Sequence, residues 1–395
     1  MAVLLKLITH QLKYPSKKLH CVKILSYSTA STFKFKDLEV KPCKAENKCQ
    51  KPNPDTLLFG KKFTDHMLEI EYNGKTGWKS PRICPLHNLE LHPAAKVFHY
   101  AIELFEGMKA YRSPEDKIIM FRPDLNIKRM LATAKRSGLP VFDGEEFLKC
   151  MKKLISVDRD WVPKSDKSSL YIRPTLIGTE PTLGVAAGND ALLYVLLSPS
   201  GPYFPTGFKP VSLMADPQFV RAWPGGCGDK KMGSNYSPTV AIQKQAEKYG
   251  YQQILWLFGP DHLVTEVGAM NIFIFLKNEN GEPELITPPL NGLILPGVTR
   301  QSLLDLTREM KKFKVTERDI TMKEVVAALE EKRIMEIFGA GTACVVCPVA
   351  VIHYEGKDYT IPTLDHKEPL CIQLFQNLTD IQYGRVKHPW SVPVE

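Results

Sequence analysis

Long apolar runs are missing from this 395-residue chain. Its longest, NIFIFL and ALLYVLL, have the length of buried strands. They fall well short of the ~20 residues a membrane-spanning helix needs, so membrane insertion is not expected. No internal repeat of roughly 20–50 residues is visible, which excludes solenoids and propellers. Of nine cysteines, only Cys344 and Cys347 stand at motif spacing. Neither a second such pair nor a matching pair of histidines accompanies them, so no metal site is expected. A secretory leader is not expected either, because Lys6, Lys13, Lys17 and Lys18 interrupt the apolar stretches near the start. The cysteines therefore read as thiols, not as a disulfide framework.

Strong charge imbalance is absent from most of the chain. The totals are 52 Lys and Arg against 43 Asp and Glu, but seven lysines fall within residues 1–36, which hold no acidic residue. What remains is 45 against 43, which gives no footing to a nucleic-acid partner. The acid-free stretch carries apolar residues between its lysines and is rich in Ser and Thr toward its end. That composition suits a mitochondrial transit peptide over residues 1–30, although it contains no arginine; a plain basic tail is the alternative.

The rest is ordinary globular sequence, long enough for more than one domain. Strands are predicted at MLEIEY, KIIMF and SLYIRPTLIG, and ALLYVLLS, apolar on both faces, reads as a central strand. PAAKVFHYAIELFEG and DLNIKRMLATAKRSG have helical spacing, the second opening on an Asp124 cap and closing at Gly138. The Pro-rich SPSGPYFPTGFKP breaks the pattern and reads as a connection. Beyond it, SPTVAIQKQAEKYG reads as a helix and QQILWLFG as a strand. LVTEVGAMNIFIFL reads as one long strand with an irregularity at its glycine. TRQSLLDLTREMKKF and TMKEVVAALEEK are helical, the latter with a Thr321/Glu324 capping box. The expectation is an α/β protein with a smaller domain over 31–197, a connecting loop over 198–210 and a larger domain over 211–395.

Chemistry concentrates in four places. In GGCGDKKMGSNYSPT, Lys230 and Lys231 sit among glycines that let backbone approach a ligand closely. A lysine there serves as a Schiff-base amine, as a phosphate contact or merely as surface charge. LILPGVTRQSLL turns directly into a helix, leaving the amides of Val298 and Thr299 at an N-terminus that suits a phosphate; a plain turn–helix junction reads the same way. Glu266, inside an apolar run, needs a partner: a protonated heteroaromatic nitrogen, or a structural Lys or Arg. The Gly339–Thr342 stretch of IFGAGTACVVCP offers backbone amides and a hydroxyl to an anion. A lysine, a carboxylate and two anion-binding turns together meet the needs of pyridoxal phosphate.

The ordered motifs FGKKFTDHM, ELFEGMKAY, YIRPTLIGTEPTLGV, GPYFP, KMGSNY, TEVGAMN, ILPGVTRQSLL and GAGTACVVCP span about Phe59 to Tyr383. In this set the chain resembles the branched-chain amino acid aminotransferases, which are fold-type-IV pyridoxal-phosphate enzymes. The resemblance implies a two-domain fold with the cofactor at the domain interface, and selects Lys231 over Lys230 as the Schiff-base residue. It implies that Tyr236 bonds the cofactor's phenolic oxygen and Glu266 its pyridine nitrogen. Arg129, the Val298 and Thr299 amides and Thr342 would hold the phosphate. Phe59, Tyr100, Phe105, Tyr171, Val185 and Tyr203 match the substrate pocket, Arg173 the partner of glutamate's side-chain carboxylate, and Ala343 an amide for the α-carboxylate. The resemblance also implies a homodimer with shared pockets, and for Cys344 and Cys347 a redox-sensitive pair; two buried structural cysteines are the alternative. Ala269 departs from the family's usual Thr, which removes one hydroxyl near the substrate.

Overall fold

Two sheets organise the chain. The computed structural model describes residues 32–201 and 209–395; the expected transit peptide and Tyr203 lie outside them. The first sheet is built around Asp190–Ser200 and Ser169–Gly178, antiparallel from Ser169↔Ser200 to Gly178↔Ala191. His66–Asn73 and Arg82–Pro85 extend it on one side, and Met108–Arg112 and Ile118–Phe121 on the other. Its far edge is the C-terminal strand Ser391–Pro393, paired with residues 119–121. One face is covered by the helix Gly144–Val157, whose Phe147, Met151, Leu154 and Ile155 recur at helical spacing and pack with Leu68, Ile70, Leu170 and Leu193. The side chain of Asp143 caps that helix by accepting from the N–H groups of Glu145 and Glu146.

The second sheet runs Leu263–Val267, Gln253–Phe258, Val211–Ala215, Val345–Tyr354, Ile334–Gly341, Met270–Lys277 and on to Pro283–Thr287. Leu263–Val267 also pairs with Met270–Lys277, so six strands close into a ring. The closing rungs are Glu266↔Asn271 and Val267↔Met270. The helices Val298–Met310 and Leu370–Gln382 pack against this sheet through Leu303, Leu304, Leu374 and Leu378.

Several local expectations need correction. Residues 93–107 are not one helix: Lys96–Tyr100 forms a short helix ended by Ala101 in the left-handed region, at φ 48°, and Glu103–Phe105 becomes a strand on Ser169–Gly178. Asp124 does not cap the helix Pro123–Ser137; the preceding position is Arg122, and Pro123 supplies the first-turn geometry. LVTEVGAMNIFIFL is two strands, because Gly268 at φ +54° turns the chain back on itself. The turn expected at Gly339–Thr342 begins three residues later: Gly339–Gly341 end the strand Ile334–Gly341, and the turn comprises residues 342–344. Thr321 caps its helix by accepting from the Glu324 N–H, but the Glu324 carboxylate pairs with Arg318 and so does not close the box. The strand ending at Ser200 runs into the connection expected from 198.

Candidate active site

Lys231 is held from several sides. Its N–H donates to the Thr133 hydroxyl at 3.2 Å, and its carbonyl accepts from the Phe105 N–H at 3.1 Å. The loop around it is fastened by Asn235, whose Nδ2 donates to the carbonyls of Cys227 and Lys230 at 2.7 and 2.8 Å. Gly233 sits close against Glu103: a Cβ there would lie 1.7 Å from its Oε1, so that side chain would have to shift. Five residues beyond Lys231, the Tyr236 hydroxyl accepts from Lys231 Nζ at 2.9 Å. Lys230 points elsewhere and pairs with Asp229.

From that contact a run of side chains leads outward. The ring of Phe105 lies 4.4 Å from Lys231 Nζ and 5.0 Å from the ring of Tyr236. On its other side, 4.7 Å away, is the Arg173 guanidinium, whose Nη2 donates to the Tyr171 hydroxyl at 3.1 Å. Tyr171 in turn meets Phe59 edge-on at 4.8 Å. Among the described residues Arg173 Nε is buried without a hydrogen-bond partner, a donor that a carboxylate would satisfy.

Glu266 is 2% exposed at the closing rung of the ring. Its Oε1 accepts from the Leu295 N–H at 2.9 Å and from Asn271 Nδ2 at 3.1 Å, and its Oε2 faces Arg221 Nε at 3.1 Å. The partner is thus the arginine that the sequence left as one of several options. Burial raises the Glu266 carboxyl above its ordinary value, while Arg221 and the Leu295 N–H pull the other way.

Arg129 is buried on the helix Pro123–Ser137, where Nε and Nη2 donate to the two oxygens of Glu106 at 2.7 and 2.8 Å. Its Nη1 reaches the Pro296 carbonyl at 3.0 Å, beside the start of Val298–Met310. No side chain caps that helix. Val298 and Thr299 are buried at its first turn, where helix N–H groups without an intrahelical acceptor suit an anion. Thr342 and Ala343 occupy the 342–344 turn, and the Ala343 carbonyl accepts from Lys109 Nζ at 2.9 Å. Burial brings that lysine down to about 8.

Two expected pocket residues stand apart from the cluster. Val185 is 81% exposed on the segment between two strands of the first sheet, and the Tyr100 hydroxyl donates to the Leu183 carbonyl. A single chain does not fold that segment back onto Lys231. Cys344 and Cys347 are free thiols. Burial pushes Cys344 up to about 12 and Cys347 upward as well, and Cys344 Sγ contacts Met270 Sδ at 3.1 Å. Arg221, Glu106 and Lys109 were missed from sequence. An acid between Phe105 and Gly107 was the one visible signal, since apolar surroundings demand a counter-charge.

The family signature described as amino-transferase class IV covers residues 103–352. The mitochondrial branched-chain-amino-acid aminotransferase of Mus musculus is 55% identical over 367 residues, 92% of this chain and 93% of that one. The cytosolic form of the same organism is 54% identical over 368 residues, 93% and 95% of the two chains. Among solved structures, the branched-chain amino acid aminotransferase of Escherichia coli superposes with a TM-score of 0.69 at 22% identity, over 85% of this chain and all of that one. The chain belongs to the class IV aminotransferases and, within them, to the branched-chain-amino-acid aminotransferase family.

Proposed function

We propose that the protein is a pyridoxal-phosphate-dependent aminotransferase. It moves the amino group of L-leucine, L-isoleucine or L-valine reversibly to 2-oxoglutarate, giving branched-chain 2-oxo acids and L-glutamate. The observation that carries this reading is the 2.9 Å contact of Lys231 Nζ with the Tyr236 hydroxyl, at the head of an apolar and aromatic run that reaches Arg173.

The residues fit the cofactor. The uncapped helix at Val298 and Thr299, with Arg129 Nη1 beside it and Thr342 as a hydroxyl, suits its phosphate. Tyr236 suits its phenolic oxygen, and the buried Glu266, steadied by Arg221, its pyridine nitrogen. When bound, pyridoxal phosphate supplies an electron sink for the charge left as the substrate's Cα proton departs. Lys231 Nζ takes that proton and later returns it, as base and then acid. The Tyr236 hydroxyl keeps the amine oriented. Phe59, Phe105 and Tyr171 offer apolar surface to a branched side chain, and the unsatisfied Arg173 Nε suits the side-chain carboxylate of glutamate. The Ala343 amide receives the α-carboxylate.

The same reading makes the protein a homodimer, in which Tyr100 and Val185 of one copy complete the other's pocket together with Tyr203. The exposure of Val185 supports it. The same reading divides the chain at 198–210 into a smaller and a larger domain, and has residues 1–30 direct the protein to mitochondria. Cys344 and Cys347 form a slow oxidant-responsive pair, slow because burial disfavours their thiolates.

Borohydride reduction of the protein with pyridoxal phosphate, followed by peptide mapping, tests the assignment. A pyridoxyl label on Lys231 is expected; a label on Lys230, or on neither lysine, overturns it.

A further inference from the structure

Away from that cluster, three side chains converge on the first sheet with their donor atoms within 4.8 Å of one another: Glu69, Cys84 and His87. Glu69 lies on His66–Asn73 and Cys84 on the neighbouring Arg82–Pro85, where the register Met67↔Cys84 and Glu69↔Arg82 puts them diagonally on one face. His87 follows directly after. Glu69 is 2% exposed and Cys84 buried, while His87 opens to solvent.

The hydrogen bonding of His87 turns its Nε2 toward Glu69. Its Nδ1 lies 2.8 Å from the Asn88 carbonyl, which can only accept, so Nδ1 carries the hydrogen. In the neutral ring Nε2 then presents a lone pair, and it faces Glu69 Oε1 at 3.3 Å. Two lone pairs at that distance need a proton or a metal ion between them: a protonated ring donates to the carboxylate, and a divalent ion takes the place of that proton. A histidine fixed by a backbone carbonyl through its other nitrogen is also how proteins orient a metal-ligating ring. On the other carboxylate oxygen, Cys84 Sγ lies 3.5 Å from Glu69 Oε2, and all three donors lie within 4.8 Å of one another. Metal–ligand distances of about 2.0–2.3 Å in a tetrahedral site give ligand–ligand edges of roughly 3.3–3.7 Å.

We propose that Glu69, Cys84 and His87 bind a zinc-class divalent ion. One thiolate, one imidazole and one carboxylate make a donor set of that type. Glu69, Arg82 and His87 help line a cavity of about 780 Å³, from which water can supply a fourth ligand. Arg82 is the competitor, with Nη2 at 2.8 Å from Glu69 Oε2. It is half-exposed and has Glu71 Oε1 at 3.7 Å as an alternative partner, so an entering ion displaces it sideways. The bound ion ties two strands to the chain segment that follows them.

The test uses the full chain without an affinity tag, stripped of metal and titrated with Co²⁺, with Zn²⁺ affinity measured by chelator competition. One equivalent of Co²⁺ is expected to produce a thiolate-to-cobalt charge-transfer band. C84S loses that band and H87A weakens Zn²⁺ binding at least tenfold, whereas C49S, at an exposed cysteine, keeps both. R82Q binds Zn²⁺ more tightly than the parent. The proposal is overturned if the parent shows no band, if the band survives C84S, or if R82Q and H87A bind as the parent does. Circular dichroism of each variant separates lost binding from lost folding.

Discussion

Arg129 and Glu106 meet through two parallel hydrogen bonds of 2.7 and 2.8 Å, with Glu106 wholly buried. Burial alone would raise the Glu106 carboxyl, but Arg129, Lys231 and Asn126 outweigh it and hold it below its ordinary value of 4.5. Arg129 thereby arrives at the Pro296 carbonyl with only one nitrogen uncommitted to the acid. Glu106→Gln breaks the buried pair, and a loss of about 3–5 kcal/mol in urea unfolding is expected, with weakened binding of pyridoxal phosphate. The sign of the pH effect follows from the depressed carboxyl. Its stabilisation is complete above 4.5 and disappears as pH falls below that value toward the folded-state pKa, so the variant's deficit shrinks in acid.

Lys109 behaves oppositely. Its folded value is about 8 against an ordinary 10.5, so between these the unfolded chain binds more protons. Its contribution to stability therefore rises as pH climbs from about 8 to 10.5. Lys109→Met is expected to flatten that rise. Denaturant unfolding of both proteins at about pH 7.5 and about pH 9.5 checks it: equal slopes with pH would refute the assignment.

Gly233 and Glu103 form a steric pair beside Lys231. Gly233→Ala pushes a Cβ into the Glu103 carboxylate and is expected to lower kcat on the order of tenfold by shifting Tyr236, a loss of roughly 1.4 kcal/mol in the barrier. The double variant with Glu103→Ala removes the obstruction and should recover most of the rate. Failure to recover means that the glycine is needed for its backbone and not for the approach.

Arg173 should divide the two substrate classes. Arg173→Met keeps the packing on Phe105 but removes the donors. KM for glutamate and 2-oxoglutarate should rise by about 10- to 100-fold, in line with a charged hydrogen bond of roughly 1.5–3 kcal/mol, while leucine changes by only a few-fold. Steady-state kinetics with both amino donors separates these outcomes.

What could be seen in the sequence was local or repetitive. Ser169–Gly178 was legible as a strand to the residue, and Lys231–Tyr236 as a motif. Partners were not legible, because Glu106 and Arg129, or Glu266 and Arg221, are brought together only by sheet and helix packing. The helix expected through residue 107 failed for the same reason: apolar spacing at 103–105 serves equally well against a neighbouring strand. The hairpin at Gly268 was hidden inside an unbroken apolar run, since both its strands are buried.

The closing of the ring at Glu266↔Asn271 has a consequence for motion. Glu266 bonds to its own rung neighbour Asn271 and to Leu295, so opening the ring and displacing the acid are one event. Amides at that seam should be among the slowest to exchange with solvent. Lys231 lies instead on a loop secured by a few side-chain bonds. Opening the seam would therefore disturb the acid, whereas loosening the loop would disturb the lysine.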